Sequence, residues 1–173
     1  MKSRAKLAAI ALVCAAPVVL GTLAYVFHWA PGTKGNYGEL IEPHTLSAAP
    51  FDGLRGKWVL VAIDAPACDA GCERKLYFMR QLRKGMGSNQ DRVERLWLLS
   101  GEGQPSAALL SAFAGTRVAR ADAALLASFP GTPSAHIYVV DPLGNLMLRF
   151  PSDPDPSAML KDLGRLLRYS RFG

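Results

Sequence analysis

Two cysteines lie four positions apart in the stretch Ala65-Pro66-Ala67-Cys68-Asp69-Ala70-Gly71-Cys72-Glu73. At the mouth of a helix, that spacing puts two sulfurs on one face about one turn apart. Such a pair suits a reversible disulfide or a soft metal held between two sulfurs. The apolar run Trp58-Val59-Leu60-Val61-Ala62-Ile63 leads into it, so the thiols are expected on a strand-to-helix turn. A helix N-terminus carries partial positive charge and stabilises a thiolate there. Asp69 and Glu73 oppose that effect modestly. Cys68 projects from the helix start and is the expected attacking thiol, with Cys72 resolving the mixed disulfide.

A pair this close in sequence makes a weak staple, because a bond closing three intervening residues constrains the unfolded chain little. A redox role, a metal role and a static disulfide all stay open at this point. Two sulfurs alone can hold Cu(I), which tolerates low coordination, and bind Cu(II) poorly. Other candidate ligands are weaker. His136 lies in an apolar stretch and reads as a half-buried strand histidine. His44 reads as a surface residue, and His28 as a membrane-interface residue. Met79 and Met159 fall on apolar helix stripes and read as packing; Met86 and Met147 are further thioethers. Asp64, just before the thiol loop, reads as a strand-end turn residue, with a buried base as the alternative.

The thiols must be placed outside the cytoplasm for this chemistry to meet other disulfides. Leu7 to Trp29 contains no charged residue, and its 23 residues span about 34 Å as a helix, against a bilayer core of about 30 Å. Lys2, Arg4 and Lys6 precede it, and only Lys34 follows closely. The positive-inside bias then puts residues 1–6 in the cytoplasm, 7–29 across a bacterial-type inner membrane, and the rest in the periplasm. Phe27-His28-Trp29 before Ala30 fits a signal-peptidase site poorly, so the anchor is expected to be retained. Cys14 is then a small apolar residue of the membrane helix. Of the net charge of +6, three belong to the N-terminal cations, and no basic block with interleaved aromatics is present. Nucleic acid is excluded as a partner on that ground. Arg165, Arg168 and Arg171 form a basic helix face suited to lipid head groups or to an acidic partner domain.

The positioning elements follow from periodicity. Residues 30–50 are rich in Pro, Gly and polar residues and read as a tether, with a short edge strand at 37–41. A domain of residues 51–173 follows. Strands are expected at 58–64, 93–99, 135–140 and 145–150, the last two joined by Asp141-Pro142-Leu143-Gly144 as a hairpin. Helices are expected at 72–84, 105–113, 123–129 and 157–169. The first strands are apolar throughout, as buried parallel strands are. This order predicts an α/β, thioredoxin-like fold with a mixed central sheet flanked by helices. In that fold a proline opens the later strand that faces the dithiol.

Gly56-Lys57-Trp58-Val59-Leu60-Val61, Cys68-x-x-x-Cys72 and Ile137-Tyr138-Val139-Val140-Asp141-Pro142-Leu143-Gly144 resemble the Sco family. Those are membrane-anchored thioredoxin-fold proteins that help to build the copper centre of cytochrome c oxidase. The resemblance runs over roughly residues 50–168 and implies copper bound by both thiols and a histidine. It also implies a respiratory oxidase subunit, or another periplasmic thiol protein, as partner. The chain departs from the family pattern in two places. Asp69 and Glu73, not prolines, follow the cysteines. The position of the family's histidine falls on Pro133, which matches the thioredoxin-type proline, often cis. His136 is three residues further on, which turns its side chain to the opposite face of a strand.

Three functions are therefore expected. The first is a Sco-like oxidase assembly factor working by dithiol chemistry or by Cu(I) handling. The second is a general membrane-tethered thiol-disulfide oxidoreductase, for example in cytochrome c maturation. The third is a binding domain with a static disulfide. A peroxidase shares the fold but has no signature around either cysteine.

Overall fold

A computed structural model describes residues 2–27, 35–46 and 49–170, without the side chains of residues 2 and 3. The expectations for His28, Trp29, Lys34 and Arg171 lie outside the described residues. The chain divides into two compact units, residues 1–35 and 36–173.

The first unit holds helix α1, Lys2–Val26. Its stretch Arg4–Val26 is long and apolar enough to cross a membrane. Pro17 lies inside the helix, a position that membrane helices tolerate.

In the second unit a six-stranded sheet runs in the order β1-β6-β5-β2-β3-β4. The strands are β1 Glu39–Thr45, β2 Trp58–Asp64, β3 Val93–Leu99, β4 Arg117–Arg120, β5 His136–Val140 and β6 Asn145–Pro151. β2, β3 and β4 are parallel, and β5, β6 and β1 extend the sheet antiparallel from β2. All seven residues of β2 are buried, as befits a strand covered on both faces. The helices are α2 Ala49–Asp52, α3 Ala70–Gly85, α4 Ala107–Ala112, α5 Ala123–Ala127 and α6 Pro156–Tyr169.

Strand pleating splits the core into two layers. Trp58, Leu60 and Ala62 of β2 and Ile137 and Val139 of β5 face α3 and α6, together with Leu76, Met79, Met159 and Leu163. Val59, Val61 and Ile63, with Tyr138 and Val140, pack on the other side with Phe51, Leu54, Leu125 and Phe129. Met79 and Met159 are thus packing residues, as expected, at 0% and 1% exposure.

The expected fold class holds. The chain departs from expectation at the edges. β1 is longer than the expected 37–41 and carries an irregularity between Leu40 and His44. β4 was not expected at all: four residues bounded by arginines carry no apolar run, and only the β3 edge makes them a strand.

Candidate functional site

The site forms where β2 ends and α3 begins. Asp69 is the helix N-cap, and its Oδ1 accepts the Cys72 backbone N–H at 2.9 Å. Cys72 sits in the first turn; Cys68 precedes the cap. The loop turns so tightly that Cys68 has φ 45°, the sole non-glycine residue with positive φ among those described. The left-handed region disfavours a side chain, so the fold holds Cys68 there against its preference. The two sulfurs are bonded, with Cα atoms 5.1 Å apart. Cys68 is 6% exposed and Cys72 1%. Both cysteines are buried in the disulfide form.

A recess of about 340 Å³ opens beside the disulfide, lined by Asp64, Ala67, Cys68, Cys72, Ser100 and Ser134 among others. Asp64 continues the face of β2 that carries Leu60 and Ala62, and so points to the dithiol side. It is not a simple turn residue. Its Oδ2 lies 2.7 Å from Nζ of Lys75, whose side chain is 1% exposed. Lys75 also donates to the Ser134 carbonyl. One buried ammonium therefore links the end of β2, the dithiol helix and the turn Pro133–Ala135 that precedes β5. Burial pushes the Asp64 carboxyl above its ordinary pKa, and the Lys75 charge and hydrogen bond offset only part of that. Lys75 was missed in the sequence. The available signal was its place three residues after Cys72 and four before Met79, on the buried stripe of α3.

Pro133 is expected from the sequence at the start of the strand that faces the dithiol; in the structure it opens the short turn Pro133–Ala135 ahead of β5, and Ser134 is the residue of that turn lining the recess. The proline is trans, since no described peptide bond is cis. His136 is separated from the sulfurs by the sheet. Cys68 and Cys72 share a layer with Ile137 and Val139, whereas the His136 ring lies 5.7 Å from, and tilted to, that of Tyr138 in the opposite layer. Its Nδ1 lies 3.0 Å from the Thr132 carbonyl. Among the described residues no group of three or more His, Cys, Asp or Glu side chains is placed to hold a metal ion. When reduced, the pair itself offers two soft sulfur donors, which fit Cu(I) and not Cu(II). His44 is on the surface, with Nε2 2.7 Å from the Ser128 carbonyl.

Solved structures share this frame. The copper-bound ScoI of Bradyrhizobium japonicum is 21% identical, covering 65% of this chain and 87% of that one, with a TM-score of 0.53. Copper-bound yeast Sco1 is 14% identical over 68% and 82%, TM-score 0.56. BsSco, described as a Sco-family cytochrome c oxidase assembly protein with a disulfide switch, is 14% identical over 79% and 98%, TM-score 0.52. The expected resemblance to the Sco family is thus met at the level of the fold. No curated protein matches the chain significantly. A family profile described as "Transmembrane-like, thioredoxin-like, C-terminal domain" matches residues 58–170, the span that holds the dithiol, the Asp64–Lys75 pair and the Pro133 turn. The chain belongs to this transmembrane-like, thioredoxin-like family.

Proposed function

We propose that the chain is a membrane-anchored, Sco-like assembly factor for cytochrome c oxidase that works by dithiol exchange through Cys68 and Cys72. The observation that carries this reading is a disulfide-forming pair set against a buried carboxylate–ammonium pair, on a thioredoxin-like frame. Residues 1–6 are cytoplasmic, 7–29 form the anchor, 30–50 the tether and 51–173 the periplasmic domain. An apolar N-terminal helix of membrane-spanning length supports that layout.

As a dithiol, the Cys68 thiolate attacks a disulfide in an oxidase subunit and forms a mixed disulfide, expelling one partner thiolate. Cys72 gives up its proton to Asp64 and attacks the Cys68 sulfur, releasing the second partner sulfur. Two electrons pass to the partner, whose copper-site cysteines are left reduced, and the Cys68–Cys72 bond closes. Asp64 suits the acceptor role because its affinity for a proton is raised and it lines the recess that Cys72 faces. Pro133 opens the turn that walls the recess on the far side.

A second reading is Cu(I) carried as cargo between the two reduced sulfurs. It is supported by the donor set, because two thiolates hold Cu(I) without a third ligand. A static disulfide is the reading to be eliminated.

The decisive experiment measures reduction potential and Cu(I) stoichiometry on the full chain in lipid nanodiscs. The expected potential lies within the range of redox-active pairs, about −120 to −270 mV. Cu(I) binding, if carried, should survive His136→Ala and vanish with Cys68→Ser. A potential below about −300 mV with no Cu(I) uptake would mark a structural bond and overturn the proposal. Reduction of an oxidase copper-site peptide no faster than of an unrelated disulfide peptide would point to the general oxidoreductase instead.

A further inference from the structure

The solvent face of α6 carries three cationic side chains. Lys161, Arg165 and Arg168 recur at helical spacing and are exposed. Leu160 and Tyr169 flank them at 36% and 79% exposure. Together with Ser157 and Gly164 these residues line a shallow concavity of about 460 Å³. The acidic residue within this stretch, Asp162, is turned inward and 5% exposed. Arg92 adds a further cation at the end of the helix, donating to the Leu167 and Ser170 carbonyls.

The same helix is where the tether arrives. Asp162 Oδ2 accepts the backbone N–H of Tyr37 at 2.6 Å and of Gly38 at 2.8 Å. The Tyr37 hydroxyl accepts the Asp155 N–H at the other end of the first helical turns, 3.0 Å away. Residues 36–38 are thereby pinned to α6. Between Trp29, the last residue of the proposed anchor, and Asn36 lie six residues. At about 3.3–3.6 Å each they reach at most about 22 Å. If residues 7–29 span the bilayer, α6 is the element of the domain bound most directly to the tether.

We propose that the basic strip of α6 docks on the anionic surface of the membrane that anchors the chain. The inference rests on the anchor reading above. Cationic side chains are drawn to anionic lipid head groups, and an exposed tyrosine and leucine beside them suit the interfacial layer. The short tether supplies a high local concentration of lipid, so a strip too weak to bind vesicles in trans suffices in cis. An acidic protein domain would offer the same charge, but nothing pins it near α6 as the tether pins the membrane.

The test uses hydroxyl-radical footprinting of the full chain in nanodiscs of phosphatidylcholine alone and with added phosphatidylglycerol. Oxidation of Tyr169 is read against Tyr77, which is 45% exposed on α3. In the anionic discs Tyr169 should oxidise roughly threefold more slowly than in the neutral discs. About 0.5 M salt should remove the difference. So should the triple variant Lys161→Gln, Arg165→Gln, Arg168→Gln, whose unchanged Tyr77 rate reports an intact fold. Equal Tyr169 rates in both disc types overturn the docking while leaving the anchor standing. Protection that appears only on adding a purified acidic oxidase subunit assigns the strip to a protein and also overturns it. Loss of the chain from both disc types after a carbonate wash overturns the anchor reading and the docking together.

Discussion

Burying the Asp64 carboxylate and the Lys75 ammonium together strips water from both ions, a cost that their 2.7 Å contact has to offset. Breaking such a pair is therefore worse than never having it. Asp64→Asn leaves the ammonium uncompensated and should lower unfolding free energy by about 3–5 kcal/mol in a urea titration. Asp64→Leu with Lys75→Met should recover most of that loss. Stability and chemistry then separate. The double variant stays folded, yet it has no proton acceptor beside Cys72, so quenched reactions should show the mixed disulfide accumulating. Turnover at the wild-type rate in the double variant would reduce the pair to a structural device. The pH dependence has a definite sign. Burial raises the folded-state pKa of Asp64 above its unfolded value. The native state then binds the proton more tightly, and this contribution is full below the unfolded pKa and lost as pH rises through the folded one. Resolution by Cys72 should instead speed up over that same rise, as Asp64 empties.

At the scale of elements, the tether clip makes a prediction of its own. Asp162 is the acceptor for two backbone donors, and Gly38 beside it is buried. A Cβ built on Gly38 would sit 2.7 Å from the Phe150 ring and 2.9 Å from Leu148, so the segment lies flat on β6 because it has no side chain there. Asp162→Ala should cost about 2–3 kcal/mol and speed hydrogen exchange at the Tyr37 and Gly38 amides, with Asp162→Asn intermediate. Exchange at those amides that does not change would show that packing alone holds the segment. The clip could not be read from periodicity, and for the Asp64–Lys75 pair periodicity offered only the place of Lys75 on the buried stripe of α3, not its partner. The strands β2, β3, β5 and β6 were legible because burial on one or both faces imposes apolar runs on the sequence. Helices α3 and α6 were legible from their stripes and caps. β4 was not, because an edge strand of four residues owes its form to its neighbour. Cys68 and Cys72 announced themselves by spacing, and the opposite-face placement of His136 followed from strand parity. The ion pair was hidden because each partner is an ordinary charged residue until 11 positions of sequence fold back on themselves.

For the whole molecule, the dithiol reading requires two folded states. Cys68 and Cys72 belong to one of the two layers, but their bond closes only the loop into α3, and the remaining members of both layers come from the strands and from other helix positions. A loop of about five residues limits the entropic gain from closing the bond to about 2 kcal/mol. Reducing it should therefore lower the melting temperature by no more than about 4–8 °C, on the scale that fits a domain of this size. Near-ultraviolet circular dichroism should keep the tertiary signature of the buried Trp58 and Trp97 in the reduced chain. Amide exchange should accelerate locally, at residues 65–72, where Cys68 is held at φ 45° and is free to relax once the bond opens. A reduced chain that loses its tertiary signal, or melts tens of degrees lower, would mean the bond holds the fold together. A protein that unfolds each time it hands over electrons cannot turn over, so that outcome would end the case for exchange chemistry and leave the disulfide as a staple.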